Sequence, residues 1–175
     1  MAHNPFAPDV VWTGADDCTL KGWDLRSGCG SASFSNRKAH QMGVTAIQFS
    51  ALSEHLAATG SYDESLRLWD ARQTRRPLSE LAVGGGIWRI KWHPTDAGRV
   101  VVAAMHGGVA TVDVSGAAPS SASGADDQQE LAACALDEAS RFELHESMAY
   151  GVDWVGEDSV ASCSFYDHDV RVYSR

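Results

Sequence analysis

The chain has 175 residues, enough for one ordinary domain with a core of its own. Its 23 acidic and 14 basic side chains leave a formal net charge of −9 with no run of Lys or Arg, which argues against a nucleic-acid partner because phosphate contacts need a basic patch. No apolar run is long enough to span a membrane, Met1-Ala2-His3-Asn4-Pro5 lacks a signal-peptide pattern, and Cys18, Cys29, Cys134 and Cys163 form no C-x-x-C pair. The expectation is a cytoplasmic protein with free thiols and with no membrane partner, metal or cofactor.

Val10 to Thr13 reads as a strand in the middle of a sheet, with no inner strand ahead of it. TGADDCTLKGWDLR (13–26) then returns 46 residues later as TGSYDESLRLWDAR (59–72). Within this second copy, Thr45–Phe49 alternates as a strand does. His55–Thr59 and Leu66–Trp69 follow it, on either side of a tight turn at Tyr62-Asp63-Glu64. A third copy is shifted by 43 residues: VGGGIWRIKW (83–92) answers HQMGVTAIQF (40–49), and VAAMHGGVATVD (102–113) answers residues 59–70. Residues 115–139 break the pattern with Gly, Ala, Ser and acidic residues, and predict a solvated insertion between blades with a turn of helix at 130–138. A fourth copy closes the chain: HESMAYGVDW (145–154) and ASCSFYDHDVRVYS (161–174) lie 105 and 104 residues from their counterparts. Nothing carries the 3.6-residue period of a long helix.

A self-similarity of roughly 40–50 residues ending in Trp-Asp marks a blade of a WD40-type β-propeller, a ring of short antiparallel sheets. The chain is therefore expected to be all-β, with blade pieces at 9–26, 32–72, 77–114 and 140–175, about three and a half blades of an expected seven. Such an arc predicts a piece of a longer product, favoured over assembly with a second copy because the break falls inside a blade.

Most polar residues of the repeat read as scaffolding. His40, Thr59 or Ser61, Asp63 and Trp69 have the spacing of a blade's internal hydrogen-bond brace, and His145, Asp167 and Tyr173 make a weaker version. A buried imidazole must be hydrogen-bonded, and a carboxylate fixes its tautomer. This His–Asp–Ser set is a brace, not a catalytic triad. The third copy departs from the rule. His106 stands where the turn Asp belongs, Val83 replaces the leading His and Val112 replaces the Trp, so His106 has no bracing duty and becomes a functional candidate. His168, beside Asp167, is a second. Trp88 and Tyr150 share the Thr45 position on the channel-lining strands and could hold a cation on their π faces, while Trp92 and Trp154 belong to packing with Phe49. There is no G-x-S-x-G, P-loop or G-x-G-x-x-G, so the default reading is a binding platform.

VWTGADDCTLKGWD (11–24), ATGSYDESLRLWDAR (58–72), GGGIWRIKWHP (84–94), AAMHGG (103–108), YGVDW (150–154) and ASCSFYDHDVRVY (161–173) resemble the WD-repeat family of diphthamide biosynthesis, the diphthine methyl ester hydrolases, over nearly the whole chain except 115–139. GGGIWRIKWHP and CSFYDH are the most specific, since a generic blade demands neither. The resemblance corresponds to the C-terminal part of the family's protein. It implies hydrolysis of the methyl ester of the diphthine intermediate on elongation factor 2, with other pathway proteins as further partners and no cofactor. On that footing Trp88 and Tyr150 would hold the trimethylammonium group, Asp167 would add negative charge, and His106 would act as general base on water or on a serine, with His168 as the reserve candidate. The competing expectation is a non-catalytic scaffold that binds elongation factor 2 or another pathway protein.

Overall fold

Runs of small and β-branched residues, each closed by an Asp- or Gly-bearing turn, form fifteen strands among the described residues. The computed structural model describes residues 1–28, 30–116, 134–143 and 145–174. No α-helix occurs among them; Leu25–Ser27 is a 3-10 turn capped by the Asp24 carboxylate.

The strands make four antiparallel sheets in chain order. The first holds β1 (Ala2–Asn4), β2 (Ala7–Gly14), β3 (Leu20–Asp24) and β4 (Phe34–Asn36). The second holds β5 (Val44–Phe49), β6 (Leu56–Ser61), β7 (Ser65–Asp70) and β8 (Ser79–Ala82). The third holds β9 (Arg89–Trp92), β10 (Arg99–Ala103), β11 (Val109–Ser115) and β12 (Ala135–Phe142), and the fourth β13 (Ala149–Trp154), β14 (Ser159–Ser164) and β15 (Val170–Ser174). The inner strands β1, β5, β9 and β13 touch in succession, which is the arrangement of propeller blades around an axis.

Two expectations change. Val10 does have an inner neighbour, because Ala2–Asn4 pairs antiparallel with β2 and completes the first sheet. The insertion does not separate blades: it joins β11 to β12 inside the third sheet. Residues 135–138 of the expected helical turn are strand, since pairing Leu136 with Val114 buries it in the core, and Cys134 is buried but in no helix; residues 130–133, and most of the insertion, lie outside the described residues.

The core sits between sheets. Along β10 the side chains alternate: Val100 and Val102 pack toward the second blade with Leu56, Leu66 and Leu68, while Val101 and Ala103 pack toward the fourth with Val152 and Val160. A strand in a middle blade is covered on both faces and therefore reads as a continuous apolar run. Trp12, Phe49 and Trp69 fill the interface between the first two blades, with ring centroids of Trp12 and Phe49 4.9 Å apart. The inner strands are also riveted laterally. Trp92 Nε1 donates to the Gln48 carbonyl (3.2 Å) and Trp154 Nε1 to the Lys91 carbonyl (3.1 Å), the same link one blade further on.

Candidate functional site

The second blade shows what a complete brace does. Trp69 Nε1 donates to Thr59 Oγ1 (2.7 Å), and His40 Nε2 meets the same hydroxyl at 3.0 Å. Arg67 Nη1 lies 2.8 Å from His40 Nδ1 and reaches both Asp63 oxygens (3.0 and 2.9 Å). Asp63 also accepts from the Gln41 amide (2.8 Å). Thr59 is thus the bracing hydroxyl; Ser61 instead donates to the Met42 carbonyl (3.0 Å) and caps the turn at the Asp63 amide. Burial, then the neighbouring guanidinium, pull the His40 pKa from 6.5 down to about 4, against the opposing pull of Asp63. Burial pushes the Asp63 carboxyl upward, but the hydrogen bonds from Arg67 and the Gln41 amide hold it below its ordinary value.

The third blade has no such brace, and backbone packing replaces it. Gly85 is pressed onto the turn that carries His106: a Cβ there would come within 2.0 Å of the Ala104 carbonyl oxygen and 2.5 Å of the Gly107 nitrogen. Arg141 on β12 fastens the two loops, donating from Nη1 to the carbonyls of Val83 (2.8 Å) and Gly107 (2.6 Å). This contact explains why GGG and MHGG occur together. The turn is then tied to the fourth blade, where the Met105 and Ala149 backbones exchange hydrogen bonds of 3.2 and 3.1 Å. That bridge brings the turn of Met105 and His106 up to the start of β13, where Tyr150 follows Ala149. His106 itself is exposed, and no hydrogen bond or ion pair holds it among the described residues.

Trp88 joins the same rim because its amide donates to the Ala103 carbonyl (2.9 Å). Its ring meets Tyr150 edge-on at 5.3 Å, with Tyr62 on its other side at 6.1 Å. Tyr150 in turn contacts Phe165 (6.4 Å), and Phe165 contacts Tyr166 (5.1 Å), next to Asp167 and His168. Five aromatic rings therefore run from the second blade to the fourth. Trp88 is 42% exposed, and it also lines a 540 Å³ groove between the inner strands β1, β5 and β9. His168 is exposed at φ 55° and, like His106, carries no hydrogen bond among the described residues. The structure thus gathers Trp88, Tyr150, His106, Asp167 and His168 toward one end of the inner strands.

His145 keeps its bracing role, with Nε2 2.7 Å from Ser162 Oγ, while Asp167 accepts from the Glu146 amide (3.0 Å). Tyr173 stacks on Phe142 at 3.4 Å instead of joining His145, and burial pushes its hydroxyl up to about 12. Sequence reasoning missed Tyr62, Phe165 and Tyr166. The signal lay in the Tyr-Asp pair common to the turns of the second and fourth copies. It also missed Arg67 and Arg141, which no repeat pattern marks as braces. Cys18, Cys134 and Cys163 are free thiols.

Residues 32–70 match the family description "WD domain, G-beta repeat". Over 153 residues the chain is 38% identical to the mouse (Mus musculus) protein named diphthine methyltransferase, covering 87% of this chain and 29% of that one. The human (Homo sapiens) protein of that name is 39% identical over 87% of this chain and 31% of its own length. A Dictyostelium discoideum homologue is 33% identical over 98% of this chain and 48% of its length. The chain spans less than half the length of these relatives. A chain in the crystal structure of a mitotic checkpoint complex superimposes with a TM-score of 0.71 at 14% identity, over 96% of this chain and 46% of that one, a likeness of fold alone.

Proposed function

We propose that this chain, a WD-repeat relative of the diphthine methyltransferases, acts in diphthamide biosynthesis by hydrolysing the methyl ester of diphthine on elongation factor 2. The observation that carries the reading is the run of five rings on the rim to which the unbraced turn of His106 is bridged. A trimethylammonium cation is attracted to aromatic faces, and the net charge of −9 favours a cationic ligand. Hydrolysis needs only water and a base. His106 takes a proton from water as its oxygen adds to the ester carbonyl, then returns it to the methoxide as the carbonyl–methoxy bond breaks, giving methanol and a carboxylic acid that loses its proton to solvent. Methyl transfer, which the relatives' name suggests, would need an acceptor other than water. Methanol release therefore separates the two.

Incubating the chain with ester-bearing elongation factor 2 is expected to release one methanol per factor, with loss of one methylene unit by mass spectrometry. His106→Ala should slow release by about 100-fold or more while leaving the protein folded, in line with loss of a general base; wild-type rates in that variant remove His106 from the site. Trp88→Ala should weaken binding of the factor by about five- to thirtyfold, the worth of one to two kcal/mol of cation–π contact. Unchanged affinity would sink the cage.

The scaffold reading has its own observation. Arg37, Lys38, Arg75 and Arg76 surround an 800 Å³ groove between the first two blades, and none forms an ion pair among the described residues. Four cations lining one groove suit an acidic segment of a partner protein. Binding of elongation factor 2 without methanol release favours this reading.

A further inference from the structure

We propose that His145, Asp167 and Asp169 form a binding site for a divalent cation of the zinc class. The inference does not rest on the ester-hydrolase reading, although Asp167 stands in both.

The second and fourth blades differ at this point. Strand pairing makes Arg171 the counterpart of Arg67: Arg67 sits opposite Thr59, and Arg171 opposite Ser162. In the second blade the Arg67 guanidinium occupies the space between His40 Nδ1 and Asp63 and satisfies both. The fourth blade has one more residue between the paired strand ends, Cys163 to Val170 against Gly60 to Leu66, and it carries Asp169 where the second has Ser65. Asp169 captures Arg171 through Nε–Oδ2, and the guanidinium no longer reaches the histidine.

Among the described residues, four buried side-chain atoms of this blade have no partner, on His145, Ser164, Asp167 and Tyr173, and two of them belong to this cluster. His145 has a side chain only 2% exposed, and its Nδ1 has no hydrogen-bond partner; Asp169 Oδ2, at 3.9 Å, is too far to be one. Asp167 Oδ1 is also buried and unpartnered, although its counterpart on Asp63 accepts from Arg67 and the Ser65 amide. A buried polar atom left unmet is destabilising, so His145 Nδ1 and Asp167 Oδ1 call for an occupant. One donor atom from each of His145, Asp167 and Asp169 lies within 4.8 Å of the others.

The donor set suits a borderline cation. Imidazole nitrogen with carboxylate oxygens is a zinc-type set, and three protein ligands leave a fourth position for water. The outer contacts are those that orient metal ligands. With the imidazole Nε2–H donating to Ser162 Oγ, the lone pair of Nδ1 points at the carboxylates, and Arg171 and the Glu146 amide hold the two Asp side chains.

The test is titration of the metal-stripped full chain with zinc chloride by calorimetry at pH 7.5, beside Asp169→Ser and His145→Gln. One equivalent of zinc is expected. Asp169→Ser, which restores the residue of the second blade and frees Arg171 to fill the gap, should weaken binding by about tenfold or more while keeping the fold. The His145 Nδ1 resonance in 15N NMR should shift on zinc addition. No binding to the wild-type chain, unchanged binding in Asp169→Ser, or an Nδ1 that stays protonated with zinc present would each overturn the site.

Discussion

Arg67→Ala is expected to lower the unfolding free energy by about 3–5 kcal/mol, the cost of removing one partner from a buried ion pair. The guanidinium is 3% exposed and serves His40, Asp63 and Glu80 together, so its loss strands a carboxylate that is itself only 6% exposed. Acid should change the size of this effect. In the wild-type protein His40 stays neutral down to about pH 4, whereas the unfolded chain protonates it near 6.5. The unfolded state therefore binds the extra proton across that window, and stability falls as pH falls from 6.5 to 4, by about 3 kcal/mol for such a shift. The depressed Asp63 carboxyl acts in the same sense at lower pH, below the ordinary 3.8. Without Arg67, His40 can take a proton and pair with Asp63, whose Oδ2 is 3.7 Å from Nδ1. The deficit of the variant should accordingly shrink between pH 7.5 and 5. Urea unfolding at both values checks this, and a deficit under about 1 kcal/mol, or one that ignores pH, would show that Arg67 is not the bridge.

Gly85→Ala is expected to destabilise by about 3 kcal/mol or more, at the upper end of overpacking, because its neighbours are backbone atoms of a turn and not the end of a flexible side chain. Gly30→Ala is the control: a Cβ there meets nothing within 4 Å, and stability should stay within about 0.5 kcal/mol. The larger consequence is for the rim. Gly85 packs against the turn of Met105 and His106, which is bridged to the fourth blade, so moving that turn by an ångström should cut the proposed ester hydrolysis by about 100-fold. Thermal melting together with methanol release measures both. A melting temperature equal to that of Gly30→Ala would mean that the two loops are not in contact.

Much of the blade was legible because it repeats. His40, Asp63 and Trp69 stand out once two copies are aligned; the structure joins His40 to Trp69 through Thr59 and to Asp63 through Arg67. The departures were legible too: His106 was conspicuous as a broken rule, and Trp88 and Tyr150 as aromatics at a Thr position, and all three come to the same rim. What could not be read was substitution across elements. Arg141 holds the third blade from an outer strand beyond the insertion, and no local pattern links it to Val83. The first strand was missed because three residues, Ala2–Asn4, carry too little pattern to announce themselves. The brace of the fourth blade looked like a weaker copy of the second, yet one extra turn residue and one Asp turn Arg171 away and leave His145 Nδ1 facing two carboxylates.

By itself the sequence determined the all-β blades and the period that stacks them, because hydrogen-bonded turns and apolar alternation are local and recur at nearly constant spacing. Only the tertiary structure decided which side chains share a space. Blade-to-blade packing places Tyr62, Trp88, Tyr150 and Phe165 in one run although 103 positions separate the first from the last, and such neighbours are set by the curvature of the arc and not by any pattern along the chain.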